Sequence, residues 1–248
     1  MQTRFNMPAL FGRFVNFLLP ARCAYCRSSL EDLSKPFFCS QCWSDFSAVP
    51  QPACLLCGRP FGTPEATTHS PGHACWICRK NPPAFDQAVA AGVFEGSLRE
   101  AIHIYKYRPL RGLGRPLGRW MAGSLQIVKH IDLAVPVPLH RTRLRQRGFN
   151  QALLLAREVS DHFGIRLCYD NLIRLRPTRP QVELSGLDRT ANVRDAFGLG
   201  RPSAVEGKSV LVIDDVFTTG ATMHECSRVL KEAGASSVTA LTLARAVD

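Results

Sequence analysis

Two adjacent aspartates and the threonine-rich loop behind them are the part of this 248-residue sequence best suited to chemistry. Asp214 and Asp215 follow the apolar run "VLVI", and "VFTTGAT" follows them at residues 216–222. A glycine in such a loop lets the backbone approach a ligand, and the free N–H groups of a following helix bind phosphate. Carboxylates beside that phosphate accept hydrogen bonds from the vicinal hydroxyls of a ribose or hold Mg²⁺ through water. The stretch therefore predicts a site for a ribose phosphate.

Eight of the ten cysteines form four C-x-x-C pairs, a spacing typical of zinc knuckles. Two thiolates of one knuckle bind a metal from a tight turn, and two knuckles complete a tetrahedral site. The spacing favours two structural zinc ions held by consecutive pairs over disulfides, while a crossed pairing stays open. Zinc thiolates imply a reducing compartment, the cytoplasm. The candidate ligands are Cys23, Cys26, Cys39, Cys42, Cys54, Cys57, Cys75 and Cys78.

Positive charge is the third chemical feature of the sequence. Lys and Arg number 31 against 20 Asp and Glu, a net charge of +11 that favours an anionic partner such as nucleic acid, a phosphorylated metabolite or an acidic membrane surface. In "RTRLRQR" (141–147) the arginines stand at alternate positions, so they cannot all share one helix face. Some should face a ligand and others solvent or DNA, and Arg147 is the best candidate for a function. In "KYRPLRGLGRPLGR" (106–119), glycines and prolines predict a largely mobile loop.

Alternating strand and helix patterns must position these residues. From about residue 84, apolar runs alternate with helical periodicity, which predicts an α/β fold with a mainly parallel sheet flanked by helices. Ligands of such sheets bind beyond the carboxyl ends of the strands, where the acidic pair is expected. "DQAVAAGVFEG" (86–96) predicts a strand pair or hairpin turning at Gly92 or Gly96, and "SLREAIHIYKY" (97–107) predicts a helix capped by Ser97.

Three units are expected along the chain. Residues 1–19 predict an amphipathic helix that packs on its own protein, because charged and polar residues interrupt it too often for stable membrane insertion. Residues 20–83 hold every C-x-x-C pair and predict a double zinc-ribbon domain that relies on metal for its folding free energy. Residues 84–248 form the α/β domain. Aromatics of the ribbons (Tyr25, Trp43, Phe61 and Trp76) either stack on unpaired bases or form a small core.

"VLVIDDVFTTGAT" resembles the phosphoribosyl-pyrophosphate (PRPP) signature of the type I phosphoribosyltransferases. Together with the four C-x-x-C pairs, "VPVPLHRTRLRQRGFNQA" (135–152) and "LSGLDRTANVRDAF" (184–197), it makes nearly the whole chain from Cys23 onward resemble the ComF family. Members of that family are associated with competence and DNA utilisation. The resemblance implies a type I phosphoribosyltransferase-like domain behind two zinc ribbons.

The resemblance also implies roles for individual residues. Asp214 and Asp215 would hold the ribose hydroxyls, Mg²⁺ would accompany PRPP, and Lys106 and Arg147 would complete the catalytic set, with a nucleic-acid contact an equal alternative for Lys106. Segment 176–197 resembles the loop and hood region in which an acceptor would sit. The remaining PRPP contacts would be Val216, Phe217, Thr218, Thr219, Gly220, Ala221 and Thr222 at the 5-phosphate, with Pro138 and Leu139 at the pyrophosphate loop.

Three functions are compatible with the sequence. The leading hypothesis is a PRPP- and Mg²⁺-binding phosphoribosyltransferase-like protein that contacts single-stranded DNA during DNA uptake or utilisation, with DNA-uptake or helicase proteins as further partners. The second is a non-catalytic DNA-binding adaptor regulated by PRPP. The third is a salvage phosphoribosyltransferase for a free base, with zinc serving structure alone.

Overall fold

A five-stranded parallel sheet forms the centre of the computed structural model, which describes residues 21–30, 37–62, 73–108, 110–124, 130–178 and 191–247. The strands are β1 (Gln87–Val93), β2 (Leu133–Pro136), β3 (Arg166–Leu167), β4 (Leu172–Arg174), β5 (Phe197–Leu199), β6 (Ser209–Phe217) and β7 (Ser237–Arg245). The helices are α1 (Ser40–Ser44), α2 (Trp76–Lys80), α3 (Gly96–Tyr107), α4 (Gly114–Gly123), α5 (Arg141–Arg147), α6 (Gln151–Phe163) and α7 (Ala221–Glu232). The sheet order is β1-β7-β6-β2-β3, which confirms the predicted α/β class. The helix predicted at residues 1–19 lies outside the described ranges.

Side chains of the central strand β6 alternate between two buried clusters. Leu211 and Ile213 pack with α4 and α6 on one face of the sheet, and Val210 and Val212 pack with α7 on the other. All four are essentially inaccessible to solvent. Because helices cover both faces of the sheet, the sequence of a central parallel strand is continuously apolar and does not alternate between apolar and polar residues.

The cysteine-rich segments cover the outer edge of β1. The amide N–H of Val93 donates to the carbonyl of Ser47 at 2.9 Å, and the N–H of Ala88 donates to the carbonyl of Leu56 at 2.6 Å. Both acceptors belong to segments that follow or contain a cysteine pair. An unpaired strand edge would otherwise offer a template for association with another chain, so the docked segments protect the sheet.

The hairpin predicted at residues 86–96 is wrong. β1 runs straight through Gly92 and pairs in parallel with β7, from Gln87 opposite Thr239 to Val93 opposite Arg245. The partner strand is the last one in the chain, and local sequence periodicity carries no information about a partner so distant.

The mobile loop predicted at residues 106–119 is also wrong. Lys106 belongs to the last turn of α3, a short 3₁₀ turn spans Arg111–Leu113, and α4 follows at once. A Cβ at Gly118 would lie 2.7 Å from the Cβ of Glu158 on α6. This glycine therefore allows two helices to pack closely, a use that composition alone cannot distinguish from flexibility.

Ser97 does not cap α3. The helix begins at Gly96, its N-cap is Glu95 without a side-chain bond, and Ser97 is buried within the first turn. Its hydroxyl instead donates to the carbonyl of Cys42 at 2.9 Å, which ties α3 to the first cysteine-rich segment. By contrast, α6 is capped at both ends, with Asn150 as N-cap and Gly164 in the left-handed C-cap conformation.

A two-stranded antiparallel sheet, β4 paired with β5, lies beside α7. Arg228 of α7 anchors the segment before β5 through an ion pair with Asp195 at 3.1 Å, and it also pairs with Glu225 of its own helix at 2.6 Å. The N–H of Asp195 also donates to Glu225 at 2.8 Å. No helix within the described ranges is long and apolar enough to cross a membrane.

Candidate functional site

The acidic pair lies within the last residues of β6. The sequence predicted instead that it would follow the strand. Asp214 and Phe217 still pair with β7, opposite Thr242 and Arg245. Neighbouring side chains of a strand point to opposite faces of the sheet, so the two carboxylates have different surroundings. The N–H of Asp215 donates to the carboxylate of Asp214 at 2.8 Å, which fixes their relative orientation.

Asp215 forms an ion pair with Lys106. The Nζ atom of Lys106 lies 2.8 Å from Oδ1 of Asp215. The Lys106 side chain is 21% exposed and that of Asp215 is 11% exposed. The lysine is held at the end of α3, next to Tyr105, whose hydroxyl donates to the carbonyl of Gln151 at 3.0 Å. Gln151 returns a bond from its amide to the carbonyl of Tyr105 at 3.3 Å, so α3 and α6 form one rigid support. Burial and the charge of Asp215 raise the pKa of Tyr105, which keeps its phenol neutral.

Asp214 has an unusual proton affinity. Burial and the adjacent charge of Asp215 raise its pKa to about 7, against the opposing influence of Lys106. A carboxyl group this easily protonated at neutral pH is unstable as an isolated charge and is better satisfied by a cation or by donors from a ligand.

The phosphate loop, which we define as residues 218–222, joins β6 to α7. Gly220 adopts a left-handed conformation with φ of 81° as the N-cap of α7. A Cβ here would lie 2.5 Å from the Phe217 ring, so only glycine fits both the conformation and the space. α7 begins within this loop, and the N–H groups at the start of a helix are the ones that bind anions.

A single pocket contains most of the predicted site. Of the residues predicted to bind PRPP or to catalyse transfer, Lys106, Leu139, Arg147, Asp214, Asp215, Val216, Thr218 and Thr222 line it. Phe217, just before the loop, and Ala221, within it, are buried and do not line the pocket. Pro138, Thr219 and Gly220 also fall outside the lining set. The elements therefore bring the acidic pair, the loop and two of the basic candidates to one place.

The arginine-rich segment is the helix α5, and only two of its four arginines reach the pocket. Arg143 and Arg147, one turn apart, line the pocket and are half-buried, whereas Arg141 and Arg145 are exposed. Arg147 donates to Gln151 at 3.3 Å, and its guanidinium lies 5.6 Å from the centre of the Tyr107 ring. The division between ligand-facing and solvent-facing arginines that the spacing predicts is thus present on the helix.

Arg174 on β4 is a pocket residue that the sequence did not reveal. Its guanidinium hydrogen-bonds to the hydroxyl of Thr178 and stacks on Phe197, 5.2 Å from the ring centre. Burial and the nearby Arg143 lower its pKa. It was missed because only the antiparallel β4–β5 pairing carries it over the pocket. Tyr107, Asn150 and Gln151 also line the pocket without having been predicted individually. Thr178 lines it as well and belongs to the predicted loop and hood segment 176–197, of which residues 179–190 lie outside the described ranges.

The charges of the pocket determine the kind of ligand it can bind. Four cationic side chains, Lys106, Arg143, Arg147 and Arg174, face two carboxylates within it. The excess of positive charge favours a ligand with several negative charges, and the carboxylates require that the ligand also offer donors or a cation. A polyphosphorylated sugar meets both conditions.

The two histidines near the site have structural partners. His140 caps α5, where its Nδ1 accepts from the N–H of Thr142 at 3.3 Å. Nδ1 of His224 accepts from the N–H of Ala84 at 3.1 Å. These bonds make both histidines structural polar contacts.

The eight predicted zinc ligands form two separate quartets. The first quartet is Cys23, Cys26, Cys39 and Cys42, the second is Cys54, Cys57, Cys75 and Cys78, and in each the four sulfur atoms lie within 4.8 Å of one another. Tetrahedral zinc with bonds of about 2.3 Å separates its sulfurs by about 3.8 Å. Two neighbouring pairs match that value, Cys26 to Cys39 at 3.6 Å and Cys57 to Cys75 at 3.8 Å. The quartets fit zinc, and the consecutive pairing is confirmed.

The aromatic residues of the ribbons divide between the two roles left open by the sequence. Trp43 packs against Phe38 and Phe46, with ring centres 5.9 and 4.9 Å apart, and so belongs to a small core. Phe61 is half-buried against His73. Tyr25 and Trp76 are 49% and 65% exposed, which leaves their ring faces accessible.

The fold and the site together define a class. The family described as "Phosphoribosyl transferase domain" matches residues 150–247, and the family described as "Double zinc ribbon domain" matches residues 14–79. The chain is therefore a type I phosphoribosyltransferase-like protein preceded by two zinc ribbons.

Full-length relatives narrow the class to one family. Competence protein F of Haemophilus influenzae is 30% identical over 240 residues, which cover 94% of this chain and 99% of the relative. DNA utilization protein YhgH of Salmonella typhi is 30% identical over 235 residues, with 92% and 98% covered. This chain belongs to the ComF family.

A solved structure provides a more distant comparison. Glutamine phosphoribosylpyrophosphate amidotransferase from B. subtilis, complexed with ADP and GMP, is 23% identical with a TM-score of 0.40. The match covers 56% of this chain and 30% of that chain. The overlap is too loose to transfer the role of any residue.

Proposed function

We propose that the pocket binds PRPP together with Mg²⁺. The observation that carries this proposal is the convergence, in one pocket, of Asp214 and Asp215 with Thr218 and Thr222 of the phosphate loop and with a group of basic side chains. PRPP has a 5-phosphate, a ribose diol and a pyrophosphate. Each of these groups has a chemically matching set of residues within the pocket.

The position of each ligand group follows from the elements. The 5-phosphate lies against the phosphate loop at the N-terminus of α7, where N–H groups and hydroxyls bind anions. The ribose hydroxyls donate to Asp214 and Asp215. The pyrophosphate lies near Leu139, within reach of Lys106 and Arg147. The carboxylates are hard oxygen donors of the kind that hold Mg²⁺, which would offset the charge of the pyrophosphate.

Ligand binding in this arrangement must open the ion pair between Lys106 and Asp215. A ribose hydroxyl or a cation at Asp215 replaces the ammonium group of Lys106. The Lys106 side chain is then free to bind the pyrophosphate. The protein would thereby keep its carboxylate neutralised until the ligand arrives.

The reaction compatible with this site is transfer of the phosphoribosyl group to a nucleophilic acceptor. The bond from the ribose C1 to the pyrophosphate oxygen breaks, and the electron pair leaves with pyrophosphate. The acceptor forms the new bond at C1 and loses its proton to water or to the departing pyrophosphate. Lys106 and Arg147 stabilise the departing charge, which is the main requirement of such a loose transition state. The histidines near the pocket are already engaged, and this chemistry depends on positioning more than on a strong base.

The relatives add a cellular setting to this proposal. Their names refer to competence and to DNA utilisation, and we assign this chain to the uptake or utilisation of DNA in the cytoplasm, where zinc thiolates persist. Exposed Trp76 and Tyr25 among arginines and lysines of the ribbons suit stacking on unpaired bases of single-stranded DNA. The net charge of +11 supports the same partner.

A PRPP-regulated adaptor without catalysis is the second candidate. It is favoured by the Lys106–Asp215 ion pair, because a ligand that opens this pair also frees the Lys106 side chain at the end of α3 for other contacts. The two candidates differ in product. A transferase releases pyrophosphate from PRPP in the presence of its acceptor, whereas an adaptor binds PRPP and leaves it intact across a panel of bases and nucleic acids.

Thermal stability tests the ligand assignment. PRPP with Mg²⁺ at about 100 times its Kd should stabilise the folded protein by about 2.7 kcal/mol and raise its melting temperature. Asp214→Asn combined with Asp215→Asn should abolish the rise. Ribose 5-phosphate and pyrophosphate, added separately, should each give a smaller shift. An unchanged melting temperature of the parent protein in saturating PRPP and Mg²⁺ would contradict the assignment.

A further inference from the structure

A buried arginine, Arg245, lies between the second quartet and the phosphate loop. It is the last residue of β7 and is 3% exposed. One of its terminal nitrogens donates to the carbonyl of Cys57, and the other lies 3.9 Å from the Cys57 sulfur. A guanidinium group removed from water is costly unless its donors are used, so these contacts hold the arginine against the cysteine knuckle.

The opposite side of Arg245 contacts the support of the loop. Its guanidinium carbon lies 4.6 Å from the centre of the Phe217 ring, and the two residues are paired across β6 and β7. Phe217 is 4% exposed. Its ring fills the space beneath Gly220, where an added Cβ would lie only 2.5 Å away. Arg245 and Phe217 thus form a continuous line of side-chain contact from Cys57 to Gly220.

Backbone hydrogen bonds join Arg245 and the residue after it to two further segments near the site. The N–H of Phe94, a pocket residue, donates to the carbonyl of Arg245 at 2.7 Å. The N–H of Ala246 donates to the carbonyl of Phe217 at 2.9 Å. These bonds fix the backbone around Arg245 to the end of β6 and to the residue that follows β1.

From these contacts we infer that Arg245 is a positioning residue that couples the second zinc site to the phosphate loop. Zinc in the second quartet and an anionic ligand on the loop then stabilise each other, because coupling between two sites is reciprocal. The first quartet contacts α3 near its N-terminus, through Ser97 and Cys42, and lies outside this coupling. The ligand half of the inference rests on the proposed PRPP site.

Thiol alkylation of the zinc-loaded full-length protein measures the coupling separately at each quartet. N-ethylmaleimide labelling over time, followed by peptide mass spectrometry, reports the accessibility of individual cysteines. PRPP with Mg²⁺ should slow labelling of the second quartet by about fivefold or more and leave the first quartet unchanged. Arg245→Met should lose this protection. Arg245→Lys, which keeps a donor for Cys57 but loses the planar stack on Phe217, should retain part of it.

Arg119→Met is the matched control for the arginine variants. Arg119 is an exposed arginine on α4 whose side chain pairs with Glu158 on α6 at 3.3 Å. Its replacement should leave the protection by PRPP at the parental level. A loss of protection in this control would mean that the effect comes from net charge and not from Arg245.

A second arm of the labelling experiment tests the coupling without any ligand. Gly220→Ala places a methyl group against the Phe217 ring and should accelerate labelling of the second quartet by about fivefold, with the first quartet unchanged. Phe217→Leu, which removes the ring beneath the arginine, should act in the same direction. Gly234→Ala is the control. Like Gly220, Gly234 has a positive φ, of 86°, but it lies after the C-terminal end of α7, where an added Cβ would meet Glu206. This variant should lower stability without changing the labelling rate of one quartet more than that of the other.

The two arms separate this inference from the proposed function. If PRPP does not bind the parent protein, the proposed function fails, and the Gly220→Ala and Phe217→Leu results alone decide the coupling. Equal changes at both quartets, or no change at the second quartet in these variants, would show that Arg245 serves only general stability and would overturn the inference.

Discussion

Asp214 and Asp215 are neighbours in the sequence but differ in how their charge is balanced. Asp215 has Lys106 at 2.8 Å, whereas Asp214 receives the N–H of Asp215 and lies close to that residue's negative charge. Burial and this repulsion raise the pKa of Asp214 to about 7. A strained carboxylate in a pocket is typical of a site that gives up stability for the sake of a ligand.

Asp214→Asn should stabilise the ligand-free protein. An aspartate with a pKa near 3.9 in the unfolded chain and a raised value in the folded protein costs nothing at low pH and becomes destabilising as the pH rises between these values. At pH 8 the variant should therefore gain at least about 1 kcal/mol in the free energy of unfolding, and at pH 4 the gain should vanish. Urea denaturation at both pH values measures the difference.

Asp170→Asn controls for loss of a surface charge, because Asp170 is an exposed partner of Arg201. Its effect should stay below about 1 kcal/mol at either pH. An Asp214→Asn variant that is no more stable than the parent at pH 8 would show that the Asp214 carboxylate is not destabilised in the folded protein.

At the scale of elements, the sequence was most informative where local rules suffice. The bounds of α6 and β7 and the place of the loop before α7 follow from caps, apolar runs and glycine. The hairpin at Gly92 failed because the partner of β1 is more than a hundred residues away, and the loop at 106–119 failed because its glycines serve helix packing. Arg174 was missed for a related reason, since only the β4–β5 pairing places it over the pocket.

Gly118 provides a test of the packing between α4 and α6. In Gly118→Ala the new methyl group would meet the Cβ of Glu158 at 2.7 Å, so the helices must separate. We expect a loss of about 1–3 kcal/mol in the free energy of unfolding. Gly123→Ala, in the same helix with no described neighbour within 4 Å, should instead be neutral or gain up to about 1 kcal/mol. Equal stability of the two variants, measured by chemical denaturation, would refute close packing at Gly118.

At the scale of the whole molecule, the zinc ribbons are part of the architecture of the sheet. They cover the outer edge of β1 through Ser47 and Leu56, and Arg245 links the second of them to β6 and β7. The domain boundary between residues 83 and 84 stays a prediction. Hydrogen bonds connect the residues before it to those after it. The two modules are thus joined by hydrogen bonds rather than by a linker alone.

Removal of zinc should accordingly destabilise the sheet as well as the ribbons. We expect about two Zn²⁺ per chain by elemental analysis. Chelation should lower the melting temperature and promote association of the protein, because the edge of β1 loses its cover. Size-exclusion chromatography and calorimetry before and after chelation check both effects. Fewer than about one Zn²⁺ per chain, or an unchanged melting temperature after its removal, would contradict this account.

The exposed aromatics of the ribbons give the DNA proposal its own prediction. Trp76→Ala should weaken binding to single-stranded DNA by about 1–3 kcal/mol if one base stacks on the indole, and the binding of the parent should weaken as salt rises. Tyr169→Ala, at an exposed aromatic next to β3 in the α/β domain, is the control and should have no effect. Fluorescence anisotropy with a labelled oligonucleotide measures both, and an equal loss in the two variants would remove Trp76 from the interface.

The central claim is that the pocket around Asp214 and Asp215 binds PRPP with Mg²⁺. Isothermal titration of PRPP into the parent protein in excess Mg²⁺ tests it most directly. We predict one site per chain and an affinity that falls at least about tenfold, or 1.4 kcal/mol, in the combined Asp214→Asn and Asp215→Asn variant. Absence of saturable binding to the parent, or equal affinity in the parent and the double variant, would contradict the claim.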